Sequence, residues 1–495
     1  MNQIQKSLLT GAVFVALAGG AAGLAYWDKK SRQGESERKE KEKLAFDLKA
    51  DDIQKVDVTN AQVHAVAERT AEGWKLTEPM VAPADDAIWT GMATALANLR
   101  LRTRFAEGEL DPATVGLSAP ETTVSVTTKD GKTYQLHAGN KSPFDDGQYV
   151  RAGEDAAKAP VAVTVSYNLG AFQKSLFEMR EKRLITEAAT SIDALEVLQK
   201  QPTDDAISFK VTREGEAGKH KYEDGWKLVT PVAAPGDREE LGKVAGNLTG
   251  LKALAFVDET AAELARWNLV EPDITVKLNL AGTERTLLFG KVESGGVKKH
   301  YAKRADVPNV AEVSETDFNS LRKDLFTLRD KRLLDFDRDL VTTISATLPG
   351  GGKLTLVKSL ADGGGTEVWR VSEPKDAPAR AWKATSLLYT LANFKMKRFV
   401  KEGVPSPAPA DLLATYGLDK PMRTVLLQDG KGGELVTFLF GREEGGEVFV
   451  MAKGGTSVGA VDAKRLEDLP QSADEFSDEP IQALGAKKDG GAAKL

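Results

Sequence analysis

The 495-residue chain contains no cysteine. Disulfides, thiolate metal sites, a cysteine nucleophile and a lipid-modified N-terminal cysteine are therefore excluded. Histidine is scarce, the only four being His64, His137, His220 and His300. None lies within five residues of another, so no H-x3-H or HExxH ligand pair exists and no zinc site is implied. A charge excess of one sign is also missing: 67 Lys plus Arg stand against 73 Asp plus Glu, a net charge of −6. That balance argues against a surface built to neutralise phosphates and sets nucleic acid aside as a partner. With 41% hydrophobic and 28% charged residues, the bulk of the chain fits neither a disordered segment nor a polytopic membrane protein. At roughly 150 residues per domain, the length suggests about three domains.

Long apolar runs are missing everywhere except residues 8–27, LLTGAVFVALAGGAAGLAYW. This uncharged run is long enough to cross a hydrocarbon core. Its close on Tyr26 and Trp27, followed at once by Asp28, Lys29 and Lys30, suits an uncleaved anchor ending at an interfacial belt. Small residues around Ala16, Ala18, Ala21 and Gly23 leave a cleaved signal peptide as the alternative. Lys29, Lys30 and Arg32 outnumber Lys6, so a strict positive-inside count places the bulk in the cytoplasm, although long domains translocate despite such a bias. Residues 28–43 (DKKSRQGESERKEKEK) have nothing apolar to bury and read as a solvated spacer.

What the chain does contain is a repeat. Trp74, Trp226 and Trp369 each begin the pattern W-x4-P-x2-A-P, with Pro79 and Pro83, Pro231 and Pro235, and Pro374 and Pro378. A second signature, L-x2-P after a small or amide residue, follows as Leu117 to Pro120, Leu269 to Pro272 and Leu418 to Pro421. The distance from Trp to this Leu is 43, 43 and 49 residues, the surplus falling at Pro405, Pro407 and Pro409. A third signature is a turn glycine with another glycine eight residues on: Gly131 and Gly139, Gly282 and Gly290, Gly433 and Gly441.

Periodicity predicts the content of one unit. IQKVDV (residues 53–58) alternates as a strand, and Trp74 and Leu76 lead an extended segment into Pro79. Apolar spacing then marks a helix through Ile88, Met92, Leu96 and Leu99, matched by Leu241, Val244, Leu248 and Leu251, and by Trp382, Leu387, Leu391 and Phe394. TTVSVTTKDGKTYQLHAG reads as a hairpin with a type I′ turn at Asp130-Gly131, its equivalents turning at Ala281-Gly282 and Gly432-Gly433. A strand and a closing helix complete the unit, the helix covering 172–183 in the first copy and 318–332 in the second. The expected fold class is thus α+β: three tandem repeats, each a mainly antiparallel sheet with two packed helices, after an N-terminal transmembrane helix. The expected boundaries are anchor 1–27, spacer 28–45, units 46–184, 185–333 and 334–476, and a disordered tail 477–495. Basic residues end the closing helices (Arg180, Lys182, Arg183; Arg329, Lys331, Arg332) and suit a helix C-terminus. The third copy lacks them, so the basic segment is read as the joint between units.

Catalytic motifs fail on inspection. Gly455-Thr456-Ser457-Val458-Gly459 matches G-x-S-x-G, yet no histidine follows it, as the nucleophile elbow requires; the stretch reads as a hairpin loop. Gly131-Lys132-Thr133 ends like a phosphate loop, but Val126 occupies the position of the first glycine. Arg100, Arg102 and Arg104 alternate with Leu99, Leu101 and Thr103 and place three cations on one strand face. They form either a surface for an anionic ligand or a charged edge protected from pairing.

The combined pattern of W-x4-P-x2-A-P, GL-x2-P, the DGK-T-Y hairpin, the Tyr-Val-Arg strand and LRDKRLLDF (residues 328–336) resembles the bacterial domain of unknown function 4340 over about residues 46–470. The first joint, MREKRLI (179–185), departs from the fuller LRDKRLLDF form. The resemblance implies membrane-anchored proteins, often with tandem copies, associated with ABC-type transport systems of the gliding-motility class. It carries no catalytic residue, cofactor or metal. The expectation is a non-enzymatic binding or scaffold protein on the bacterial inner membrane, single-pass, its bulk periplasmic, with the membrane (through 8–27) and envelope or ABC-transporter proteins as partners. The rivals are an envelope enzyme using carboxylates, and a module binding anionic glycan or lipid through Arg100, Arg102 and Arg104.

Overall fold

The computed structural model describes residues 43–478, apart from residues 144, 334 and 361–366 and the side chains at 360 and 367. The expected anchor at 8–27, nearly all of the spacer and the tail from 479 lie outside the described residues. Among the described residues no helix is long and apolar enough to cross a membrane.

Alternating apolar residues build three antiparallel sheets. The first unit comprises β1 (Ile53–Thr59), β2 (His64–Thr70), β3 (Gly73–Glu78), β4 (Ala82–Pro83), α1 (Asp86–Ala97), β5 (Thr103–Arg104), β6 (Thr122–Thr128), β7 (Thr133–Lys141), β8 (Gly147–Gly153), β9 (Ala162–Val165) and α2 (Leu176–Met179). The second comprises β10 (Ile192–Gln199), β11 (Phe209–Arg213), β12 (Trp226–Thr230), β13 (Ala234–Gly236), α3 (Arg238–Gly250), β14 (Ala255–Asp258), β15 (Ile274–Leu280), β16 (Thr283–Ser294), β17 (Val297–Arg304), β18 (Val310–Val313), α4 (Glu315–Ser320) and α5 (Leu325–Leu328). The third comprises β19 (Thr343–Thr347), β20 (Lys353–Leu360), β21 (Glu367–Glu373), β22 (Ala377–Pro378), α6 (Ala381–Ala392), β23 (Arg398–Glu402), α7 (Ala410–Thr415), β24 (Arg423–Gln428), β25 (Glu434–Glu444), β26 (Glu447–Ala452) and β27 (Ser457–Asp462). Each sheet has nine strands in one order, β4-β3-β2-β1-β6-β7-β8-β9-β5 in the first and its equivalent in the others.

The repeated sequence signatures all have structural work. Trp74, Trp226 and Trp369 are buried, and the proline five residues on follows a cis peptide bond in every unit (Pro79, Pro231, Pro374). Pro83, Pro235 and Pro378 pair on the short strand at the sheet edge. In the leucine signature, the residue before Leu117, Leu269 and Leu418 adopts positive φ (Gly116, +75°; Asn268, +53°; Gly417, +68°). The second glycine of the hairpin signature lies against that turn: a Cβ at Gly139, Gly290 or Gly441 would fall 2.3, 2.2 and 2.2 Å from the carbonyl oxygens of Val115, Trp267 and Tyr416. This contact closes a small second core in each unit, for example Trp267, Leu269, Tyr301 and Val310. The main cores lie under the long helices, where Trp89, Met92 and Leu96 pack with Val56, Val124 and Leu136.

Three expectations need correction. Trp382 does not join the buried face of α6: it is 67% exposed, while Leu387, Leu391 and Phe394 are buried as expected, with Ala384 and Leu388 beside them. The type I′ geometry occurs at Ala281-Gly282, both with positive φ, but in the first unit only Gly131 has positive φ, within a longer turn closed by Thr128 and Lys132. The closing helices are single turns, so each unit has one long helix rather than two. After α2 and α5, Arg180 (ψ 149°) and Arg329 (ψ 146°) turn extended, because their backbones pair with Ala84 and Gly236.

The turn α2 is held by a capping box between Ser175 and Glu178. The Ser175 backbone N–H, with Lys174 and the Ser175 hydroxyl, draws the Glu178 carboxyl from 4.5 down to about 2. A carboxylate depressed on folding stabilises the fold above its unfolded pKa, and that contribution is lost as pH falls through the folded value. Glu178→Gln is therefore expected to flatten the acid-unfolding curve between pH 4.5 and about 2. An acid limb that keeps its slope in this variant would remove the assignment.

Candidate functional site

The most developed polar constellation lies at the joints, and both joints are built alike. At the first, the chain leaves α2 and runs extended from Arg180. Glu181 N–H donates to the Pro83 carbonyl of the first unit, and Leu184 N–H to Leu251 of the second. Arg183 then pairs with Lys252 as Arg332 pairs with Lys395 at the second joint. One short strand thus stitches two neighbouring units together. Leu184 and Ile185 lie in the second unit's core.

The joint arginines clamp the next unit. The Arg180 side chain is 5% exposed and makes a two-pronged pair with Glu259, at 2.5 and 3.0 Å. Its guanidinium also lies 3.9 Å from the centre of the Phe256 ring, which Phe177 of the first unit meets edge-on. Arg329 repeats this, paired with Glu402 and 3.8 Å from the centre of Phe399; Phe326 meets that ring. The lysine two residues on turns back. Lys182 donates to the carbonyls of Glu178 and Arg180 and pairs with Asp85, the N-cap of α1, at 3.2 Å. Lys331 does the same with Thr327, Arg329 and Asp237, the N-cap of α3, at 2.8 Å. The expected pairing of cations with a helix C-terminus thus belongs to the lysines, while the arginines serve the neighbouring unit.

Beside the first joint is a groove of about 960 Å³, lined by Val81, Pro83, Arg183, Phe256, Arg304 and Val307 among others. Its arginines are paired internally, Arg183 with Glu181, Arg285 with Glu187 and Arg304 with Asp306. Truncating Arg180 removes the charge-assisted pair and the ring contact together. Because Glu259 is 39% exposed and rehydrates, Arg180→Ala is expected to weaken the joint by about 2 kcal/mol rather than by the full cost of a stranded buried charge. Faster hydrogen exchange in β14, with the first core unchanged, would register it.

The arginines at 100, 102 and 104 all present exposed side chains in the first unit. Only Arg104 lies in a strand, β5, the sheet's edge. Arg102 pairs with Asp146 at 2.6 Å and Asp145 at 3.5 Å, Arg104 donates to the Leu44 carbonyl, and the Arg100 backbone bridges Leu44. The four histidines do not converge. His64 meets Asp57 on the surface, His137 lies in β7, and His300 is buried against Phe318, where burial pushes its pKa down. Both ring nitrogens of buried His220 are engaged, by the Glu214 carbonyl and by Asp193, each at 2.9 Å. Ser457 sits in β27, paired with Glu402 of β23, so G-x-S-x-G marks a strand and not a strand-turn-helix elbow. Gly131-Lys132-Thr133 lies in the β6–β7 hairpin. No group of three or more His, Asp or Glu among the described residues is placed to hold a metal.

The aromatic and acidic receivers at the joints are not picked out by the sequence expectations. Their signal was nevertheless present, as F-V-x-E at Phe256 to Glu259 and again at Phe399 to Glu402.

Three antiparallel units, the first two each closed by the strand that opens the next, define a tandem-repeat protein. A family model described as a domain of unknown function (DUF4340) matches residues 74–224, 226–367 and 369–487, and the chain belongs to that family. The matched segments start at or near Trp74, Trp226 and Trp369, two strands into each structural unit, so the first runs on through β10 and β11 of the second unit. No curated protein and no solved structure matches the chain.

Proposed function

We propose that this chain is a membrane-anchored, non-enzymatic scaffold or binding protein of the bacterial cell envelope, accessory to an ABC-type transport system of the gliding-motility kind. The observation that carries the reading is the twice-built joint. Arginine clamps, one of them buried, tie together three separate cores, which suits a protein that presents surfaces at fixed spacing. The apolar run at 8–27 is long enough for the anchor this reading requires, and the transport setting is what the resemblance implies. The reading is tested by expressing the full chain with a reporter fused at its C-terminus. A membrane-bound product with a periplasmic reporter supports it, and a protein released intact into the soluble fraction overturns it.

A second reading takes the exposed Arg100, Arg102 and Arg104 side chains as a surface for anionic glycan or lipid. Changing all three to Glu is expected to abolish retention on anionic liposomes or cell-wall fragments if this surface binds them. Unchanged retention rejects the idea.

A further inference from the structure

The two joints define equivalent positions, and those positions differ at the two ends of the array. Ala84, Gly236 and Ala379 bridge Arg180, Arg329 and Ser477 respectively. The third unit is thus closed by the same strand as the others, with serine in place of the clamp arginine. The helix N-caps at these closing strands are Asp85, Asp237 and Arg380, whose N–H groups donate to Met179, Leu328 and Phe476. Here too the charge is inverted: Asp85 and Asp237 take a lysine, whereas Arg380 faces Asp478 at 3.5 Å. On the receiving side, Lys252 and Lys395 bridge the incoming strand and the clamped rings lie four residues on, at Phe256 and Phe399. In the first unit Arg100 holds the bridging position against Leu44, and four residues on stands Arg104.

We propose that these substitutions keep the outward faces of the first and third units from joining a second copy of this chain through the contact that joins neighbouring units within it. The second joint supplies the geometry of a proper contact: Lys395 lies 3.7 Å from Asp237 and 3.9 Å from Glu239. If the third unit of one copy met the first unit of another in the same way, Arg380 would face Arg100. Trp382, the residue after Ala381, would stand in the place of Glu239. Ser477 would bring no guanidinium to the receiving edge, and the ring that should lie beneath it would be the cation Arg104. Like charges brought together at a desolvating contact cost several kcal/mol, terminal repeats with polar outer faces keep tandem arrays soluble, and a head-to-tail contact left open between copies would build filaments. Two ends changed on both sides of the same contact distinguish this from a single drifted position.

The test uses the full-length chain in a mild detergent, followed by sedimentation velocity across a concentration series. The parent chain is expected to keep one sedimentation coefficient throughout. The triple variant Arg104→Phe, Arg380→Asp, Ser477→Arg restores the joint chemistry at both ends and is expected to associate at least about tenfold more tightly than the parent. Association of the parent through these faces, or a triple variant that sediments as the parent does, overturns the proposal. A reverse exchange guards against misfolding at the ends. Arg180→Ser with Phe256→Arg writes the end chemistry into the first joint and is expected to speed protease cleavage there about tenfold; no change in cleavage would also overturn it.

Discussion

Trp89→Ala is expected to lower the stability of the first unit by about 4 kcal/mol, the range for emptying a fully buried aromatic site. The indole is wholly inaccessible to solvent, packs beside Trp74 and donates its Nε1–H to the Met179 carbonyl at 2.9 Å. That carbonyl also accepts the Asp85 N–H, so the substitution loosens the closing turn next to the joint as well as the core. Trp89→Phe keeps most of the volume but loses the hydrogen bond, and should cost roughly half as much. Hydrogen exchange read unit by unit is the suitable measurement, because the three main cores are separate clusters. Protection should fall in β1, β6 and α1 while the third unit is unaffected. Equal loss in all three units would mean that the array unfolds as one body.

Gly290→Ala is expected to cost about 3 kcal/mol, the upper end for overpacking, because the obstacle is backbone. The new methyl would lie 2.2 Å from the Trp267 carbonyl oxygen and 2.6 Å from that of Asn268. Neither group can rotate away, and Asn268 is already held in the left-handed region. The small core around Trp267 and Tyr301 should open, red-shifting Trp267 emission. Gly246→Ala, with nothing within 4 Å of the added carbon, lies mid-helix in α3 and should be neutral or slightly stabilising. If the two variants melt alike, the close approach of turn and strand is not what requires glycine at position 290.

Much of this architecture was legible because tandem copies act as their own controls. Four residues at fixed spacing, repeated three times, located the Trp-Pro edge, and the leucine and glycine signatures located the turn that meets β7, β16 and β25. What stayed hidden depends on contacts distant in sequence. Residues 176–183 carry helical spacing, yet Arg180 is extended because its backbone finds Ala84, far away along the chain. Trp382 fits an apolar helical stripe with Leu387, Leu391 and Phe394, yet it is exposed while those three are buried together with Ala384 and Leu388. The basic run was recognisable as the joint; which cation serves the helix turn and which the next unit was not, since both roles attract a positive charge. The receivers Phe256 and Glu259 lie 76 and 79 residues beyond Arg180. Only folding brings them together.

The chemical reading of Arg100, Arg102 and Arg104 changes in the same way. A charged edge strand and an anionic-ligand surface look identical in one dimension. In the fold Arg102 already has carboxylate partners, and Arg104 occupies the position at which the other units offer a ring to an arginine.

The central claim, that the chain works by holding partners and not by turning over a substrate, is tested most directly by crosslinking the full-length protein in living cells and identifying what it captures by mass spectrometry. The account predicts a reproducible set of envelope proteins, including components of an ABC-type transporter, with crosslinks mapping to more than one of the three units. Capture of no protein above background, together with a substrate turned over by the purified chain and lost on a single non-unfolding substitution, would contradict it.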